Sequence, residues 1–135
     1  MNYWLMKTEP DTFSWDDLVR DKKTGWDGVR NFQARNHLKA IKKGDTVFFY
    51  HTGDDKAIVG IAKVLKENYP DPKDNEWVAV EIAPVKKLKN PVTLAQIKAD
   101  KRLANMVLVK ASRLSVQPVK AEEYDLIIAL SEGND

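Results

Sequence analysis

The stretch from Gly44 to Ile82 constrains the fold most tightly. β-Branched and aromatic residues come there in short runs: Val47-Phe48-Phe49-Tyr50, then Ile58, Val59, Ile61 and Val64, then Trp77, Val78, Val80 and Ile82. Such residues suit the pleated, half-buried surface of a sheet. The turn signal Gly53-Asp54-Asp55 between the first two runs predicts a hairpin, and Tyr69-Pro70-Asp71-Pro72 predicts a turn-rich linker that cannot be helical. Strands that follow one another through short turns pair antiparallel, because a parallel return needs a long crossover.

Helices fit around this framework. Tyr3 to Lys7 is a short aromatic run closed by Pro10, and predicts a first strand. Ser14 followed by Asp17 is a capping pair for a short helix that carries Trp15 and Leu18 on one side and ends near Arg20. Residues 21 to 28 are polar and glycine-bracketed, which predicts a loop bearing Trp26. Phe32, Leu38 and Ile41 stand near helical spacing up to Gly44; Thr93 and Gln96 occupy capping-box positions ahead of Leu94 and Ile97. Val107 to Val109 and Leu114 to Val116 predict two short extended segments, and Glu122 to Leu130 a final helix stopped near Gly133. The expectation is an α+β fold, one domain over residues 1–135, built on a small, mostly antiparallel sheet that could close into a small barrel. No GxGxxG or GxxxxGK fingerprint follows a strand, so neither a dinucleotide nor a P-loop fold is expected.

Composition removes much familiar chemistry. There are no cysteines, which excludes disulfides, thiolate metal sites and cysteine nucleophiles. His37 and His51 lack paired-ligand spacing, so neither a metal nor a cofactor is expected. The longest apolar run is Leu126 to Leu130, far short of a membrane span, and the MNYWLMKTEPD start has no secretory character; the expected location is cytoplasmic. The net charge of +2 conceals a polarised chain. Lys86 to Lys120 carries nine basic residues against Asp100 alone, and Gly28 to Gly44 carries Arg30, Arg35, Lys39, Lys42 and Lys43 with no acid. Two basic stretches suit a polyanion if the fold puts them on one face, and otherwise serve as solvated surface.

Trp26-Asp27-Gly28-Val29-Arg30-Asn31 joins a π-face, a cation and an amide in one glycine-bracketed loop. Those are the parts that stack a planar base and read its edge. The same residues could equally be a loop tryptophan folded over the core with Asn31 capping the next helix. Tyr50-His51-Thr52 puts a phenol, an imidazole and a hydroxyl at a strand end, which is either a site or a hairpin edge meeting water. Trp4 and Lys7, three apart on a strand, point to opposite faces. Trp15 and Trp77 are expected in packing. With no GxSxG elbow and no HxE–PCxxC zinc pattern, the chain is poorly equipped as an enzyme, although His51 with a remote acid could still make one.

The segments YWLMKTEPDTFSWDDL, WDGVRNFQARNHL, GDTVFFYHT, VGIAKV, YPD, PVTLAQIK, NMVLV and RLSVQPV, in that order, resemble the EVE domain family over nearly the whole chain. The resemblance implies a PUA-like fold, a small twisted β-barrel with peripheral helices, and a non-catalytic reader that takes a modified, flipped-out base of DNA or RNA into an aromatic-walled pocket. It implies Trp4, Lys7, Trp26, Asn31, Tyr50, His51 and Thr52 as the base pocket, with Phe32, Leu114, Ser115 and Gln117 as further pocket or rim residues. In that reading Arg30, Arg35 and Arg113 hold phosphates. The rival readings are a nucleotide or small-molecule enzyme and a protein-interaction module. Which nucleic acid, which modification and which oligomeric state are left open.

Overall fold

Strand β1 (Tyr3–Thr8) lies inside the sheet, and its two neighbours come from distant parts of the chain. It runs parallel to β3 (Thr46–His51), from Tyr3 beside Thr46 to Thr8 beside His51, and antiparallel to β6 (Val116–Val119). The parallel pairing requires a crossover, which is supplied by α1 (Trp15–Asp21), β2 (Thr24–Trp26) and α2 (Phe32–Ala40). β4 (Ala57–Asp71) and β5 (Asp74–Thr93) form a long antiparallel hairpin on the far side of β3, and β2 adds to the outer edge of β5. The sheet order is β2-β5-β4-β3-β1-β6. This computed structural model describes residues 2–133.

Both faces of the sheet are buried, and strand alternation sorts the side chains between them. Trp4, Met6, Val47 and Phe49 face one core with Trp15 and Leu18 of α1 and Leu38 of α2. Leu5, Phe48 and Tyr50 face the other, against Ile97 of α3 (Leu94–Ala99), Leu108 of α4 (Val107–Lys110) and Ile127 of α5 (Ala121–Ser131). Burial on both sides explains why β3 is an unbroken apolar run, not an alternating one. Repeated register shifts between β4 and β5 mark bulges, which bend paired strands and strengthen their twist. Gly60, beside one shift, must be glycine: a Cβ there would stand 2.5 Å from the Trp15 ring.

The local capping signals form as expected. Ser14 and Asp17 cap α1 reciprocally, Thr93 and Gln96 do the same for α3, and Asn31 accepts from the Ala34 amide (2.9 Å) at the start of α2. Elsewhere the outcome differs. The sheet is open, with β2 and β6 at opposite edges, where a small barrel was expected. Residues 24–26 are an edge strand within the expected loop, a segment too short to show periodicity, held by pairing to β5. Residues 107–110 form a helical turn, since a four-residue apolar run does not distinguish helix from strand. The last strand starts at Val116, so Leu114 lies before it. The stretch Tyr69 to Asp71 continues β4, and the chain turns back only at 72–73.

Candidate functional site

Beside the end of β1 lies a cavity of about 500 Å³, walled by Trp26 and Phe13 and edged by Lys7, Glu9, Asp27, Arg30 and Ser115. Three structural devices build it. First, the β2–β5 ladder fixes the Trp26 backbone, with Trp26 beside Val80, while Phe13 (6.5 Å, 85°) and Phe49 (5.7 Å, 82°) contact the indole edge-on. Edge-on packing of this kind restrains an aromatic ring and favours its orientation. Phe13 is itself held through its backbone, donating from its amide to the Glu9 carbonyl (2.9 Å) and accepting from the Thr8 hydroxyl (2.8 Å).

Second, Asp71 at the tip of the β4–β5 hairpin ties down the loop after Trp26. Its carboxylate is inaccessible to solvent and accepts from the Gly28 amide (2.8 Å), the Arg30 guanidinium (3.0 Å) and the Lys73 amide (2.8 Å). Burial alone would raise the carboxyl; the Gly28 and Lys73 amides and the Arg30 guanidinium overcome that and hold it at about 2. Gly28 sits at φ +78°, in the left-handed region that glycine adopts without penalty.

Third, Lys7 divides two cavities. Its Nζ donates to the Ser112 carbonyl (2.7 Å) and lies 5.8 Å from the centre of the Tyr50 ring; burial lowers the ammonium below the usual lysine range. Beyond it lies a smaller cavity of about 250 Å³ lined by Tyr50, Thr52, Lys56 and Leu108. Burial pushes the Tyr50 phenol up. Thr52 donates to the Glu9 carboxylate (3.2 Å), so it reaches the larger cavity through Glu9.

The expected site residues therefore separate. Lys7, Trp26, Arg30 and Ser115 meet in the larger cavity, and Tyr50 and Thr52 lie across Lys7 in the smaller one. Trp4 is not in either: it is buried in the core, its indole N–H donating to the buried Asp45 carboxylate (2.9 Å). His51 is a buried structural group. Its Nε2 accepts from the Trp15 amide (3.0 Å), which leaves the ring proton on Nδ1 to be donated to Asp55 (3.0 Å). Asn31 is engaged as the α2 cap and, with Arg113 and Leu114, lines a third depression of about 280 Å³. Gln117 is fully buried and donates to the Leu114 carbonyl (2.8 Å). Phe32 stands 66% exposed beside Trp77 (5.2 Å), with Arg35 over both rings and Arg30 over Trp77.

Phe13, Glu9 and Asp27 line the cavity and Asp71 braces its loop, and none of the four is among the site residues expected from the sequence. The pairing of Asp71 with Gly28 spans 43 positions, which no local pattern records. Phe13 has one sequence cue, its place before the capping Ser14, and that cue concerns α1 only.

The described residues thus form an open mixed sheet with helices on both faces and an aromatic-walled, cation-edged cavity. The chain belongs to the EVE domain family, whose model matches residues 2–130. Human thymocyte nuclear protein 1 is 37% identical over 167 residues, an alignment that covers 97% of this chain and 74% of that protein. Among solved structures, Rpa0253 from Rhodopseudomonas palustris is 47% identical with a TM-score of 0.94, covering 100% of this chain and 96% of its own. The crystal structure of human THYN1 in complex with DNA containing 5-methylcytosine is 35% identical with a TM-score of 0.92, covering 98% of each chain.

Proposed function

We propose that the chain binds nucleic acid and takes a modified base, turned out of its strand, into the cavity walled by Trp26. The observation that carries this is the cavity itself: one tryptophan, a phenylalanine beside it, and Lys7 and Arg30 in its lining. Its volume lies within the range of pockets that enclose small planar ligands, roughly 300 to 1,000 Å³. Trp26 supplies the stacking face, worth about 1 to 3 kcal/mol per base. Glu9 and Asp27 offer acceptors and Lys7 a donor, the complement of a base edge bearing an amino and a carbonyl group. Arg30, with Arg35 and Arg113 farther out, supplies charge for phosphates. The relative crystallised with 5-methylcytosine DNA supports the same reading, since its fold superimposes over nearly the whole chain.

A binding role also fits His51. Both of its ring nitrogens are occupied by Trp15 and Asp55, so the one histidine that an enzyme reading would employ as a base is engaged in holding α1.

Fluorescence titration with short single- and double-stranded DNA and RNA, unmodified or carrying 5-methyl- or 5-hydroxymethylcytosine, tests the proposal. The expected result is an affinity that depends on the modification and loses that dependence in Trp26→Ala. Weak binding that follows salt alone and is equal for all strands would refute it.

A further inference from the structure

We infer that Phe32 and Trp77, flanked by Arg30 and Arg35, form a second stacking surface that takes an unpaired base next to the one in the cavity. The inference rests on the reading of the cavity as a base pocket and extends it to a second nucleotide. Phe32 is the most exposed large apolar side chain among the described residues, at 66%. It is placed at the first position of α2, and its ring lies 5.2 Å from that of Trp77 at an interplanar angle of 33°. The Arg35 guanidinium stands 4.9 Å from the Phe32 ring centre and 5.0 Å from that of Trp77, and Arg30 stands 5.6 Å from Trp77. Arginine held against aromatic rings in this way restrains both partners.

The guanidiniums are positioned, not free to roam. Arg35 donates to the Glu76 carbonyl (2.9 Å) and Arg30 to Asp71 (3.0 Å). Arg30 Nη1 also donates to the Val29 carbonyl (3.0 Å) and the Arg35 Nε is buried, so part of the five donors of each guanidinium is left for a ligand. An exposed phenyl ring on a stretch without a single acid, Gly28 to Gly44, suits a planar ligand attached to an anionic backbone. Continuity settles which one: Arg30 edges the cavity and also lies over Trp77, so one side chain joins the two surfaces. A strand with its modified base in the cavity would pass Arg30 with its phosphate and present the adjacent base to Phe32.

The test is a thermodynamic cycle between Phe32 and one base. A short single-stranded oligodeoxynucleotide with a central 5-methylcytosine is titrated intact and with an abasic residue placed at each flanking position in turn. For the unaltered protein, removal of the base at one flanking position is expected to weaken binding roughly fivefold or more, the loss of one stacked base. Phe32→Ala is expected to weaken the intact strand by a similar factor and to be indifferent to the abasic residue at that position; Phe32→Trp restores both the affinity and the sensitivity. Phe32→Ala binding as tightly as the unaltered protein, or an abasic loss that persists undiminished in it, overturns the inference. Trp26→Ala separates the two proposals: if it abolishes the preference for 5-methylcytosine while Phe32→Ala changes nothing, the cavity stands and the second surface falls. If the unaltered protein binds none of the strands, both fall together.

Discussion

Replacement of Asp71 by asparagine removes the charge that anchors the Trp26–Arg30 loop while it keeps the size of the side chain. The native carboxyl titrates at about 2 against an ordinary 3.8. At about 1.4 kcal/mol per pKa unit, that depression corresponds to about 2 kcal/mol of stability at neutral pH. The sign follows from the direction of the shift. A carboxyl depressed in the folded state binds fewer protons there than in the unfolded chain, so its contribution is complete above about pH 4 and is lost as the pH falls from there through about 2. Gly28 donates to one carboxylate oxygen and Lys73 to the other, so asparagine also sets an amide N–H₂ against one of these two donors. Urea unfolding followed by tryptophan fluorescence, at neutral pH and at steps down to about pH 2.5, measures the effect. Asp71→Asn should be less stable by about 2 kcal/mol at neutral pH, with a gap that narrows steadily in acid. A gap that is absent at neutral pH, or constant across the range, would show that the Asp71 charge does not hold the loop.

Gly60→Ala drives a methyl group into the Trp15 ring and should cost roughly 1 to 3 kcal/mol in chemical denaturation, a cost that should largely vanish when the same change is made in a Trp15→Leu background and measured against Trp15→Leu alone. Trp4→Phe withdraws the indole donor from the buried Asp45 carboxylate; unfolding should show a loss of about 1 to 3 kcal/mol, while oligonucleotide affinity of the folded protein stays unchanged, which separates a core role from a pocket role. Arg113→Ala should weaken all sequences equally and reduce the slope of log affinity against log salt by about 1; a loss confined to modified strands would instead put Arg113 at the base.

What the sequence revealed of the fold was its local chemistry. Ser14 with Asp17, Thr93 with Gln96, and the Gly53-Asp54-Asp55 turn each act within a few residues, and each forms as the chain spells it. Long-range pairing was out of reach. The strand at Thr24–Trp26 exists because β5 offers it an edge, and the helix at Val107–Lys110 because its apolar residues fold over a core formed by other segments. The site shows the same division. Trp26 and Lys7 carried their own signals, an aromatic ring between glycines and a cation opposite a core tryptophan. For Trp4 and Lys7, alternation established that the two point apart, yet it could not say that Trp4 was the inward one, because a sheet covered on both faces has no solvent side to choose. Asp45 and Asp71 were invisible as anchors, since each reaches partners about 40 residues away. Trp77, expected in packing, does pack, but against an exposed phenylalanine and two arginines.

The position of β1 bears on the order in which the molecule can assemble. Made first, it waits for β3 on one side and for β6, more than a hundred residues later, on the other. Pairings so distant in sequence are slow, because the intervening chain must be gathered before any contact rewards it. Ser115, which edges the cavity, arrives together with β6. During synthesis, then, the β3–β4–β5 hairpins can form early, whereas the cavity beside Trp26 is complete only once Ser115 and β6 are in place. A nascent or truncated chain that ends before Val116 would display the unpaired edge of β1 to its neighbours, an aggregation hazard that β6 reduces by replacing it with a four-residue edge that contains Pro118.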